Sequence, residues 1–178
     1  MKKLIYVLII LSCVLKTLKA QDAVHEKLKE EIIKDWVKAK EHTQSFLSAM
    51  PADKYDWQPT KDVRSFAKQM LHLTYINIGW VSIGTTGQIN SPFKIKPGTQ
   101  LEDMVPQTKD SVAFYTLASY DFAIEKLKKM DASKLFEVSR GDATKLTWIN
   151  RAFAHQTHQR AVCVTYFRLL GIVPPHTL

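Results

Sequence analysis

Two cysteines in 178 residues leave little room for disulfide chemistry. Cys13 lies in the first twenty residues, so Cys163 is the one cysteine of the remaining chain. A lone cysteine closes no internal disulfide, and no paired-cysteine spacing suggests a zinc or redox motif. Cys163 reads as a small buried apolar residue. Glycine is also scarce, at six residues. There is no glycine-rich phosphate loop and no G-x-S-x-G, which leaves out a P-loop nucleotidase and a Ser-His-Asp hydrolase of that type. Nor is there a long apolar run. The longest, Leu4 to Leu15, falls short of the roughly 20 residues a spanning helix needs.

That short run belongs to "MKKLIYVLIILSCVLKTLKA", which has the layout of a secretory signal peptide: a lysine-bearing start, a short apolar centre and a small residue at the cut. Cleavage is expected after Ala20, leaving Gln21 first, although Leu18 is larger than usual at its place before the cut. An uncleaved anchor is the rival reading. Lipidation at Cys13 fits less well, because Cys13 lies inside the apolar run. Residues 21–178 would then form one exported domain, periplasmic or otherwise extracytoplasmic. The net charge of +8 loses Lys2, Lys3, Lys16 and Lys19 with the signal and falls to +4. Charges alternate in "HEKLKEEIIKDWVKAKEH", and no basic stripe is interleaved with aromatics. Nucleic acid is therefore not an expected partner.

What the chain does have is helical periodicity. A first helix is expected from about Ala23 to Met50, with Leu28, Ile32, Trp36, Ala39, Phe46 and Met50 on one face. Pro51 and Pro59 break it. A second starts near Asp62, a candidate N-cap, and places Phe66, Met70, Leu73, Asn77 and Trp80 on one face. A long break over residues 84–107 follows, of the kind that often covers a site. A third helix spans about Thr108 to Met130. After an extended connector, a fourth runs from about Ala143 to Leu170, stopped by Gly171 and the Pro174–Pro175 pair. These elements make an all-α four-helix bundle with one long crossover between helices two and three.

The chemistry-bearing stretch is "FAHQTHQRAV", residues 153–162. Residues four apart on a helix lie about 6 Å apart along the axis and nearly on one face. His155 and position 159 can therefore aim at one point, and His72 on the second helix can supply a third donor. Three protein ligands with an open position make a catalytic type of metal centre. Position 159, however, is Gln159, whose amide oxygen is a poor zinc or nickel ligand beside imidazole. His158, three residues from His155, and water are alternative third donors. The plainer reading, two histidines on the polar or hydrogen-bonded face of a bundle helix, stays open. "HQTH" lacks the glutamate of the metalloprotease pattern H-E-x-x-H.

These residues resemble the DinB/YfiT-like metalloenzyme family. "FAHQTHQRAVCVTYFRLLGIVPP" is similar to its C-terminal motif, H-x-x-H-H-R-G-Q followed by Tyr-Leu-Arg-x-x-Gly-x-x-Pro-Pro, with Tyr166, Arg168, Gly171, Pro174 and Pro175 matching. "YDWQPTKDVRSFAKQMLHL" resembles the family's approach to its second helix, and "FLSAMPADKYDW" the end of its first. The resemblance extends over about residues 27 to 175. It implies an up-down-down-up bundle and a divalent metal, zinc or nickel, on His72, His155 and position 159, with Arg160 as a supporting match. Gln159 stands where the family has histidine, and Ala161 and Val162 replace Gly and Gln. Two functions follow. One is a metal-dependent enzyme, hydrolase or thiol-transferase-like, with a degenerate third ligand and a small-molecule substrate. The other is a non-catalytic extracytoplasmic binding module that has lost its metal. A homodimer is compatible with both.

Overall fold

The computed structural model describes residues 2–96 and 98–176. Four helices carry the chain: α1 (Lys2–Ala49), α2 (Phe66–Thr86), α3 (Lys109–Lys129) and α4 (Lys145–Leu169). A two-stranded antiparallel hairpin, β1 (Val138–Arg140) and β2 (Ala143–Thr144), precedes α4. The expected all-α class holds, with this hairpin as its small β addition. The signal reading rests mostly on Met1 and on the side chains of residues 2–5 and 7–18, including Cys13, which lie outside the described residues. Among the described residues, no helix is long and apolar enough to cross a membrane.

Each later helix begins at a side chain that accepts an otherwise unpaired backbone N–H. Ser65 accepts from Lys68 N, Thr108 from Ser111 N and Thr144 from Thr147 N. The expected cap at Asp62 is corrected to Ser65. Asp62 sits in a turn outside the helix, because Phe66 N bonds Trp57 O at 3.1 Å and Ala67 N bonds Tyr55 O at 2.8 Å. Those bonds fold "KYDW" back against the start of α2 and delay the first helical turn. α3 adds Asp110 in its first turn and Lys126, Lys128 and Lys129 in its last, both matched to the helix dipole.

Helix directions follow from paired residues. α2 and α3 run parallel: Ser65 bonds Gln107, Thr74 bonds Thr116 and Asn77 bonds Ser119, always 42 residues apart. A long connection between them is the only way to join two parallel neighbours. α2 and α4 run antiparallel, since Gln69 bonds Tyr166 and Trp80 meets Trp148. The core between them is aromatic at one end, where Tyr55, Phe66, Phe167 and Phe46 meet edge to face at 5.1 to 5.9 Å. Towards the other end Gly84 lets α2 approach α4 closely. A Cβ there would lie 2.7 Å from Ile149 Cγ1 and 3.0 Å from Lys145 O. Cys163 is fully buried, and burial pushes its thiol pKa well up, as suits a packing residue.

Candidate metal centre and adjoining groove

The antiparallel α2–α4 pair builds a groove from two stripes of side chains. On α2 the stripe runs Gln69, His72, Tyr75, Gly79, Trp80 and Ile83. On α4 it runs Trp148, Arg151, His155, Gln159 and Tyr166. Apart from Trp80, which adjoins Gly79, and the two-turn step from Gln159 to Tyr166, both follow the three-or-four spacing of one helix face. His72 and His155 meet across the groove as an edge-to-face pair with centroids 5.2 Å apart. Trp80 packs on the other side of His155, at 5.5 Å.

The two sequence-predicted histidines and Gln159 are thus brought together. Gln159 is buried, and its amide nitrogen lies 3.2 Å from His155 Nε2. His155 Nδ1 and Gln159 Oε1 are buried without a partner. His158 is exposed, three residues from His155, and makes no contact with the ring pair among the hydrogen bonds and ring contacts of the described residues. Arg160 is one residue beyond Gln159 but about 100° further round the helix. It points into the bundle, where it donates to Thr43 Oγ1 and Tyr120 Oη, both at 3.2 Å. Tyr120 also donates to Gln156 Oε1 at 2.9 Å. Arg160 supports the helix that carries His155; it does not touch the histidine pair.

Sequence reasoning missed Glu102. It lies on a 3-10 turn, Leu101–Asp103, in the long break between α2 and α3, and its side chain is buried. Its Oε1 accepts from Arg64 Nε at 2.8 Å. Its Oε2 lies 3.3 Å from His72 Nδ1, without the alignment of a formed hydrogen bond. Arg64 is itself held, because Tyr166 Oη donates to its carbonyl at 2.7 Å and accepts from Gln69 Nε2 at 3.1 Å. The stretch "RSF" therefore has three separate tasks: Arg64 clamps Glu102, Ser65 caps α2, and Phe66 fills the core. One acid in a non-periodic segment, next to Asp103, carries no signal that singles it out.

Both imidazoles are held neutral. Burial lowers the pKa of His155 to about 4, helped by His72, His158 and Arg64. Burial also lowers that of His72, with Arg64 adding to the effect and Glu102 opposing it. Neutral imidazoles keep a lone pair for a metal or a proton. Among the described residues, no three His, Cys, Asp or Glu side chains converge on one point. A centre here would have two imidazoles and the Gln159 amide oxygen, with the Glu102 carboxylate behind His72 rather than on the ion. The orphaned polar atoms around the pair fit a bound cation, since unpartnered buried polar atoms are otherwise costly.

Beyond Trp80 the groove opens into a cavity of about 620 Å³. Ile89, Ser91 and Ile95 of the long break form one wall, and the β1–β2 turn forms another. The break therefore covers part of the groove, as its length suggested.

The chain matches the model of the DinB family over residues 23–178. It is similar to the crystal structure of a DinB-like protein from Bacillus cereus ATCC 10987. The TM-score is 0.68 at 16% identity, covering 83% of this chain and 95% of that one. The DinB-like protein YjoA of Bacillus subtilis gives a TM-score of 0.60 at 12% identity, covering 82% and 95%. No curated protein matches the chain.

Proposed function

The chain belongs to the DinB family, and from that premise we propose that it is an exported, divalent-metal-dependent enzyme acting on a small molecule by hydrolysis or group transfer. The observation that carries the reading is the neutral His72–His155 pair, edge to face at 5.2 Å with orphaned polar atoms beside it. His72 and His155 would hold zinc or nickel, with Gln159 Oε1 as a weak third donor and water completing the set. A cation bound there supplies Lewis acidity to a substrate oxygen or sulfur.

The chain's own residues do the rest. Glu102 stands beside His72 Nδ1, which leaves Nε2 of that ring for a ligand. Carboxylate-backed imidazoles are better oriented and more basic ligands. Arg64 fixes Glu102. Trp80 shields His155 from water on the cavity side. Export is supported by the signal-like layout of residues 1–20.

The Gln159–His155 contact favours a second reading. It lets the amide satisfy the imidazole without any ion, as in a binding module that has lost its metal. Elemental analysis of the untagged mature protein separates the two. Near-stoichiometric zinc or nickel, lost in His72→Ala, supports the enzyme. No metal after incubation with either ion, together with metal gained by Gln159→His, supports the module.

A further inference from the structure

The cavity beside Trp80 has features that the histidine pair does not require. Its floor is α2 at Gly79, where an added Cβ would meet nothing within 4 Å. Glycine inside a helix costs about 1 kcal/mol relative to alanine. At Gly84 a close helix approach explains that cost; at Gly79 no neighbour does. Its effect is to keep the cavity floor flat and open. Trp80 and Trp148 stand over this floor, with centroids 6.0 Å apart and planes at 68°. With Ile83 they give the cavity an apolar, largely aromatic lining, which suits an aromatic ring.

The rim is charged. The Arg151 guanidinium lies over the Trp148 ring, 5.0 Å from its centroid. Trp148 Nε1 donates to the Arg140 carbonyl at 3.3 Å, which ties the hairpin to the same indole. Arg140, on the hairpin, and Arg151, on α4, both line this cavity. Among the described residues, neither forms an ion pair within 4.0 Å. Asp142 shares the rim and offsets one of the two positive charges, leaving it net positive.

We propose that this cavity binds a planar aromatic carboxylate, with its ring over Gly79 against Trp80 and Trp148 and its carboxylate between Arg140 and Arg151. Guanidinium groups suit a carboxylate because their N–H donors match its two oxygens. The inference deepens the proposed function by naming the substrate class of the same groove. It rests on that groove being the reactive side, but the binding step needs no metal.

The test uses the full mature chain stripped of metal and titrated with 2-naphthoate and with its neutral isostere 2-naphthamide. Binding is read by calorimetry and by tryptophan emission. Naphthoate is expected to bind about fivefold more tightly than the amide at low ionic strength, as one extra exposed charge pair permits. Salt should shrink the difference. The double variant Arg140→Gln/Arg151→Gln should erase the preference and keep amide binding. Gly79→Leu should abolish binding of both while the helical circular dichroism stays intact. Equal affinities in the native chain, no binding of either molecule, or undiminished naphthoate binding in Gly79→Leu would each overturn the assignment. Metal content is measured separately, so loss of the metal reading leaves this outcome legible.

Discussion

Glu102 links the long connection to the candidate metal centre through a single carboxylate. One oxygen is clamped by Arg64 at 2.8 Å and the other faces His72 Nδ1 at 3.3 Å. Glu102→Gln keeps the shape and removes the charge. Zinc affinity should fall by ~10–100-fold in that variant, the usual effect of losing a carboxylate behind a metal-binding imidazole. Competition against a chromophoric chelator measures it, and unchanged affinity would remove Glu102 from the centre. His155 sets a pH window. Its pKa is 6.5 unfolded and about 4 folded, so between these values the unfolded chain binds a proton that the folded chain does not. Stability must then fall as pH drops from about 6.5 to about 4, with no further loss from this group below that. Urea melts of the metal-free protein across this range should show the slope, and His155→Gln should reduce it, leaving the part that His72 contributes in the same direction.

At the scale of elements, the two helical glycines of α2 make opposite predictions. Gly84→Ala drives a methyl group towards Ile149 and Lys145 O and should cost about 1–3 kcal/mol. Gly79→Ala meets open space and should stabilise by up to about 1 kcal/mol. Chemical denaturation of the pair tests whether α2–α4 contact or helix propensity decides each site. The helices themselves were legible because their apolar residues recur at one period, and the ends of the third and fourth fell within about two residues. The starts of α1 and α2 were not: α1 begins at Lys2 rather than near Ala23, and α2 begins after Ser65 rather than Asp62. Asp62 and Ser65 are both good caps, and only the fold-back of Trp57 onto Phe66 N selects between them. His72 and His155 were legible because helix register alone aims them. Glu102 was not, since a 3-10 turn in a non-periodic loop has no register to read. The partners of Arg160 were not legible either. It adjoins Gln159 in sequence, yet the helix turns it towards α1 and α3.

Over the whole molecule, Arg160 binds three helices together. Its guanidinium reaches Thr43 on α1 and Tyr120 on α3 from α4, and no carboxylate accompanies it in that network. Removing one acceptor from a buried cation costs more than an ordinary hydrogen bond. Tyr120→Phe should therefore destabilise by about 1–3 kcal/mol and leave metal content unchanged, because the network sits on the far side of α4 from His155. Thermal unfolding and elemental analysis on the same sample check both halves.

The long connection carries two things at once. Ile89 and Ile95 wall the cavity, and Glu102, a few residues on, faces His72. A ligand that settles the cavity end of this segment is expected to change how Glu102 stands behind His72, and so to change zinc affinity; zinc titrations with and without naphthoate check this, and identical affinities would make the two sites independent. Linkage of this kind is reciprocal. The factor by which naphthoate changes zinc affinity is the factor by which zinc changes naphthoate affinity. On that expectation the crossover that two parallel helices require would act as a two-way coupling between ion and ligand.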